Sequence, residues 1–310
     1  MAAELVRALE RSHLHPLWDR YKRITPVAPQ ARDAPMHWRW RDIEPFTDRA
    51  AKEVGIEDIE RRALILANPA FGGETVTTQN LIGAFTVLEP GDKAVPHRHT
   101  AAAIRFATRA EGAVTIVNGR RCEMHEGDLV LTPPMCWHGH INQGSRRTVW
   151  FDAANMPVIC ALDASFFEPG TRQDERFWEV AAEGSAEYRF PWADTRNALE
   201  AMPESEDGSK TYRYTKNGGS VMPTLDLFVK RVASPTRAHR ATYNAVCLVV
   251  SGEGRSAVGD QTFEWSRHDV FSVPHWTWAS HEATSGSADL FVVTDRAIFE
   301  RLELLREELK

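Results

Sequence analysis

The sequence predicts an all-β core with peripheral helices, in which one antiparallel β-barrel or jelly-roll sandwich occurs twice. Two observations lead there. From Thr75 onward, short β-branched and aromatic runs (TVTTQNLIGAFTVL, AVTIVNG, DLVLTPP, RTVWFDA) alternate with Gly, Pro, Asn and Asp, the rhythm of short strands joined by turns about every ten residues. The same punctuation then returns: Glu111-Gly112 matches Glu253-Gly254 at an offset of 142, and Asp128, Pro133 and Trp137 match Asp269, Pro274 and Trp278 at an offset of 141. A match sustained over this distance indicates one fold used twice.

The elements follow in order. Residues 1–74 form an extension mixing extended pieces with amphipathic ones at Ala2–Arg11 and 48–62, both expected to pack outside the later core. Residues 75–156 form the first β domain. Residues 157–220 are less regular, with polar clusters such as PESEDGSK and some helix expected near 172–182. Residues 221–296 form the second β domain. The closing stretch 297–310, AIFERLELLREELK, has the spacing of a charged amphipathic helix.

With 310 residues, 43% hydrophobic and 26% charged, the chain has an ordinary globular composition, which excludes disordered, collagenous and membrane-spanning classes. A net charge of −6 without a long Lys/Arg run argues against nucleic acid or an anionic membrane as the main partner, leaving a small molecule. Cys122, Cys136, Cys160 and Cys247 are scattered without a C-x-x-C and read as reduced thiols. The first residues carry Glu4 and Glu10 where a signal peptide would be apolar, so a cytoplasmic location is expected.

The 12 histidines include two tight pairs, in PHRHT at 96–100 and CWHGH at 136–140. Residues two apart on a strand share a face, so His97 points with His99 and His138 with His140. Two such pairs on facing strands can converge on one metal ion. Imidazole suits Zn, Cu, Fe and Ni, and a site made of neutral imidazoles leaves the metal's charge for an anionic, chelating substrate.

The spacing around these pairs resembles the cupin motifs. Gly91, five residues, His97-x-His99 and a later Gly112 resemble the first; Gly127, five residues, Pro133, then His138, three residues and Asn142 resemble the second. The chain therefore looks like a bicupin. It departs from the general pattern at Ala103 and Ile104, where a Glu ligand is usual, and at Met135, where Gly is usual. That departure resembles the gentisate and salicylate 1,2-dioxygenases, three-His iron bicupins. The run from His97 to Asn142 and WFDAANMP after it carry the resemblance, as do LHPLW, HWRW and ERRALILANP upstream. It is stronger in the first β domain than beyond residue 157.

The resemblance implies that His97, His99 and His138 hold Fe(II), that Arg105 and His140 contact substrate, and that the chain forms a homotetramer. The implied reaction uses O2 to open a 2-hydroxybenzoate ring between its carboxyl-bearing and hydroxyl-bearing carbons. Arg105 has the parity of His97 and His99, so an unbroken strand aims its guanidinium at the metal face to hold a carboxylate or phenolate. His140 is a candidate acid/base, and Asp152 a candidate to orient His140 or another ring. His125 is expected to be solvated. In the second domain His239 takes the place of His97 and His281 that of His140, but Ala241 and Ala279 stand where His99 and His138 would be. A second iron site is therefore not expected, and the repeat is assigned to folding and assembly.

The candidate pocket wall departs from the family: Ile82 replaces an aromatic residue, Thr86 a Gln and, between the second pair of histidines, Gly139 an Asp. With Ala84, these positions favour a 5-substituted salicylate, such as a nitro or halo compound, over gentisate. Gentisate itself, 1-hydroxy-2-naphthoate and a metal-free binding bicupin remain as alternatives.

Overall fold

The computed structural model describes residues 2–18, 20–171, 173–179 and 184–310. Among these, each half lays down eight core strands, and their lengths correspond one to one. The first half contains Ile82–Leu88, His97–His99, Ala103–Arg109, Ala113–Val117, Arg120–Met124, Leu129–Thr132, His138–Asn142 and Thr148–Ala154. The second contains Asp226–Val232, His239–Ala241, Ala245–Ser251, Gly254–Val258, Gln261–Trp265, Val270–Val273, Ala279–Ala283 and Ala288–Thr294. In each half a six-stranded sheet faces a five-stranded one. The sheets stay separate, so each half is a jelly roll and not a closed barrel.

Strand alternation gives each six-stranded sheet two different faces. Phe85, Ile104, Phe106 and Phe151 point out of the first half and Leu227, Val229, Leu248 and Phe291 out of the second, and all belong to one buried cluster. The rings of Phe106 and Phe291 stack at 4.2 Å across the seam. The halves thus share a core made from their outer faces, and each inner face is left for its own interior.

The peripheral segments are exchanged between the halves. His37–Trp38 pairs with Val270 and Phe271 of the second half, while Arg189–Phe190 pairs with Leu129 and Val130 of the first. A helix follows each: the main-chain N–H of Trp40, opening Trp40–Glu53, donates to Asp269 at 2.7 Å, and that of Trp192, opening Trp192–Ala201, donates to Asp128 at 2.8 Å. The repeated aspartates of the sequence are therefore equivalent caps for helix N-termini.

Three expectations need correction. The 48–62 piece does not pack wholly outside the core, because Ala51 packs against the shared cluster and Ile56 is buried with Leu88 and Ala107. The helix expected over 48–62 begins at Trp40 and ends at Glu53, ahead of Gly55, and Arg62–Ile65 is a strand on the first half. The stretch 297–310 is not one helix. Arg296–Arg301 is helical, Glu303 turns left-handed at φ 58°, and Glu307–Leu309 pairs with His239–Ala241. The first half repeats this design: Met156–Ala161 is helical, Asp163 has φ 51°, and Phe167–Pro169 pairs with His97–His99. Acidic residues on such an edge strand had imitated the polar face of a helix. Of the helix expected near 172–182, Glu175–Trp178 is present; residues 172 and 180–182 lie outside the described residues. Among the described residues, no helix is long and apolar enough to cross a membrane.

Candidate functional site

His97–His99 and His138–Asn142 pair antiparallel with His97 opposite His138, which brings both histidine pairs to one inner surface. One ring nitrogen from each of His97, His99 and His138 lies within 4.8 Å of the other two, and all three side chains are buried. Each Nδ1 meets a main-chain carbonyl two residues away: His97 on Val95 at 2.8 Å, His99 on Ala101 at 2.8 Å and His138 on Cys136 at 2.9 Å. A carbonyl only accepts, so each Nδ1 carries the proton and each Nε2 keeps its lone pair. The Nε2 of His138 is buried with no hydrogen-bond partner.

Burial keeps these rings neutral. It lowers His97 to about 4, assisted by the charge of Arg61, and His99 to about 4, assisted by His97 and Arg105. Burial followed by Arg105 holds His138 and His140 well below the ordinary histidine range. The structure thus brings His97, His99 and His138 together, and three buried, neutral imidazoles with convergent lone pairs fit a divalent transition metal.

Arg105 is fully buried on the same inner face. Its Nη1 donates to Thr132, whereas Nε and Nη2 have no hydrogen-bond partner. Burial lowers its pKa to about 10, with Asp152 opposing that shift, so it stays cationic at neutral pH. Nε faces Asp152 Oδ1 at 3.4 Å, which leaves Nη2 as the unengaged donor of a buried cation, prepared for an anion. His140 also faces inward; its Nδ1 lies 2.9 Å from Thr115 Oγ1, its ring packs against Trp150, and its Nε2 is buried without a partner.

Two expectations change here. Asp152 does not orient His140. It lies opposite Arg105 and accepts from Trp150 Nε1 at 3.0 Å and from Thr86 Oγ1. Gly139 is not part of the pocket wall, because it alternates with two inward histidines and faces outward. A Cβ there would lie 2.7 Å from Phe177 Cε1 and 3.0 Å from Trp178 Cη2. Ile82, Ala84 and Thr86 do lie on the inner side, opposite Ala154, Asp152 and Trp150.

Arg61 escaped sequence reasoning. Its Nη1 is buried without a partner, and its charge disfavours protonation of His97, His99 and His140. The doubled Arg of ERRALILANP was the available signal, but only the pairing of Arg62 with Val87 puts Arg61 on the inner side of the sheet. Glu60 Oε1, from the same run, approaches His97 Nδ1 at 3.1 Å.

A jelly roll with two inward histidine pairs on paired strands defines a cupin, and residues 84–154 match the cupin domain family. The chain is 34% identical to 5-aminosalicylate 1,2-dioxygenase of Comamonas sp, over 97% of this chain and 88% of that one. It is 31% identical to gentisate 1,2-dioxygenase 1 of Aquipseudomonas alcaligenes, over 98% and 95%. Its structure superposes on salicylate 1,2-dioxygenase from Pseudoaminobacter salicylatoxidans with a TM-score of 0.90 and 29% identity, over 100% of this chain and 94% of that one. The protein belongs to the gentisate and salicylate 1,2-dioxygenase family of ring-cleaving oxidoreductases.

Proposed function

We propose that the protein is an Fe(II)-dependent dioxygenase that opens a 5-substituted 2-hydroxybenzoate between its carboxyl-bearing and hydroxyl-bearing carbons, retaining both oxygen atoms of O2 in the product. The observation that carries this is the juxtaposition of three lone-pair-bearing imidazoles with the guanidinium of Arg105, whose Nη2 has no hydrogen-bond partner, on one buried inner face. His97, His99 and His138 would hold the ion. Bound Fe(II) would supply open coordination positions and electron transfer between an electron-rich ring and O2.

The rest of the work falls to the chain. Arg105, with Arg61 beside it, binds and orients the substrate's carboxylate. Asp152 positions Arg105 and partly neutralises it. His140 is neutral and its Nε2 is unengaged, so it can take or return a proton at the substrate's oxygen. The buried inner walls exclude water.

Ile82 and Ala84 offer no side-chain hydrogen bond, and the hydroxyl of Thr86 is committed to Asp152. This wall suits a ring substituent other than the 5-hydroxyl of gentisate, and it supports the choice of substrate without the help of Gly139. The test is oxygen consumption by Fe(II)-loaded protein with gentisate, 5-nitrosalicylate, 5-halosalicylates, 5-aminosalicylate and 1-hydroxy-2-naphthoate. A higher kcat/KM on a 5-substituted salicylate than on gentisate is expected; a large preference for gentisate overturns the substrate assignment. We also infer a cytoplasmic homo-oligomer, tetrameric as the resemblance implies, in keeping with the free cysteines and with the exposed Leu14, Leu17, Trp18, Tyr21 and Ile24 of the N-terminal arm.

A further inference from the structure

The second jelly roll was expected to serve folding and assembly, yet its interior holds a cavity of about 550 Å3. We propose that this cavity is a metal-free binding site for a small monocarboxylic acid with a compact apolar body, separate from the histidine chamber of the first half.

Comparison of the halves shows how the cavity arises. His239 pairs with Ala279 as His97 pairs with His138. Ala241 and Ala279 therefore replace two imidazoles with methyl groups on the inner face, and both line the cavity. Loss of the rings removes the metal cluster and leaves room for a single-ring molecule, since small-ligand sites typically measure about 300–1,000 Å3.

The lining carries five cationic side chains against four carboxylates, a net positive charge of one that an anion would balance. Lys230 stands fifth in Asp226–Val232, the place Thr86 has in Ile82–Leu88, while Cys247 takes the place of Arg105. The second interior thus has a cation of its own, supplied by a different strand. Lys230 is ion-paired with Asp207, which also lines the cavity and offsets its charge, so what it keeps for a ligand is the ammonium's two further donors.

His281 adds another donor. Its Nδ1 lies 2.8 Å from Ser256 Oγ, and that oxygen already accepts from Trp265 Nε1 at 2.8 Å. Ser256 is fully buried and an indole N–H cannot accept, so the serine proton finds its acceptor in His281 Nδ1, which puts the ring's own proton on Nε2 of a residue that lines the cavity. At the exposed rim, Arg237 donates to the main-chain oxygens of Lys310 and Glu206. Phe228, Val273, Pro274, Val292 and Leu309 supply the apolar walls. Donors and apolar walls within one cavity of this size describe a carboxylate on a compact hydrophobic body.

The probe is 4-bromobenzoate, which has no ortho oxygen with which to chelate a metal. Equilibrium dialysis against the full chain, without added metal, is expected to retain a site in Arg105→Met, the variant that disables the first chamber. In Lys230→Met that site is expected to weaken by roughly tenfold or more, and in Ala279→Trp, which fills the cavity, to disappear. Binding lost in Arg105→Met but unchanged in both second-half variants overturns the proposal. A crystal soaked with the probe decides the matter even if those variants fail to fold: a bromine anomalous peak inside the second-half cavity, against its apolar lining and away from Lys230 and His281, supports it, and a soaked crystal with no peak in that cavity overturns it. Failure of ring cleavage would remove the proposed function and leave this result unaffected.

Discussion

Arg105 and Asp152 stand opposite each other on adjacent antiparallel strands, with Arg105 Nε 3.4 Å from Asp152 Oδ1. The carboxylate is held in turn by Trp150 and Thr86, so the buried guanidinium, which also donates to Thr132, depends for its position on four residues outside the histidine cluster. Asp152→Asn removes the counter-charge while keeping the shape. We expect kcat/KM for the aromatic acid to fall by roughly 10–100-fold, mostly through KM, with iron content unchanged. A parallel loss of iron would show that Asp152 serves the metal site instead.

His138 is the most enclosed of the three candidate ligands, with its Nε2 unpartnered. After anaerobic reconstitution, His138→Ala is expected to lose bound iron and oxygen consumption together while its circular dichroism stays that of the parent. His239→Ala, at the equivalent place in the second half, should retain iron. Iron retained in the first variant would refute the three-histidine site.

Gly139 faces the aromatic pair Phe177 and Trp178, and a Cβ at this position would lie only 2.7 Å from the nearer ring. Gly139→Asp should lower stability in urea by about 1–3 kcal/mol through overpacking. The ratio of kcat/KM for 5-nitrosalicylate and gentisate should stay as it was. A changed ratio at unchanged stability would return this position to the pocket wall.

Asp33 is buried with neither carboxylate oxygen hydrogen-bonded by a partner, and burial raises its pKa from 3.8 to about 6. A raised carboxyl pKa means that the folded state binds the proton more tightly than the unfolded one. The penalty is fully present above pH 6 and is relieved as pH falls toward 3.8. Asp33→Asn is therefore expected to be more stable than the parent at pH 8, by about 1–2 kcal/mol after allowing for partial solvation. The difference should shrink below pH 6, as read from urea midpoints across the pH series. A less stable variant at pH 8 would contradict the assignment.

The histidine site was legible because its pattern is local. His97 with His99 and His138 with His140 share faces by strand alternation alone, and Arg105 lies on an unbroken strand. The repeat was legible through turn and cap residues, whose aspartates hold equivalent helix starts. Gly139 was misplaced because a family comparison outweighed the same alternation that had placed its neighbours correctly. Arg61 was missed because its side of the sheet depends on a partner strand some twenty residues on, a register that no local pattern encodes.

The sequence by itself determined the jelly-roll repeat, the inward histidines and the loss of two of them in the second half, since all three follow from which residue types alternate along single strands. Tertiary structure alone decided that the peripheral strand and helix segments cross to the opposite half, that Asp152 serves Arg105, and that the second interior is an open chamber. Those outcomes depend on which strands pair and which faces meet, and pairing is set by the burial of whole surfaces far apart along the chain.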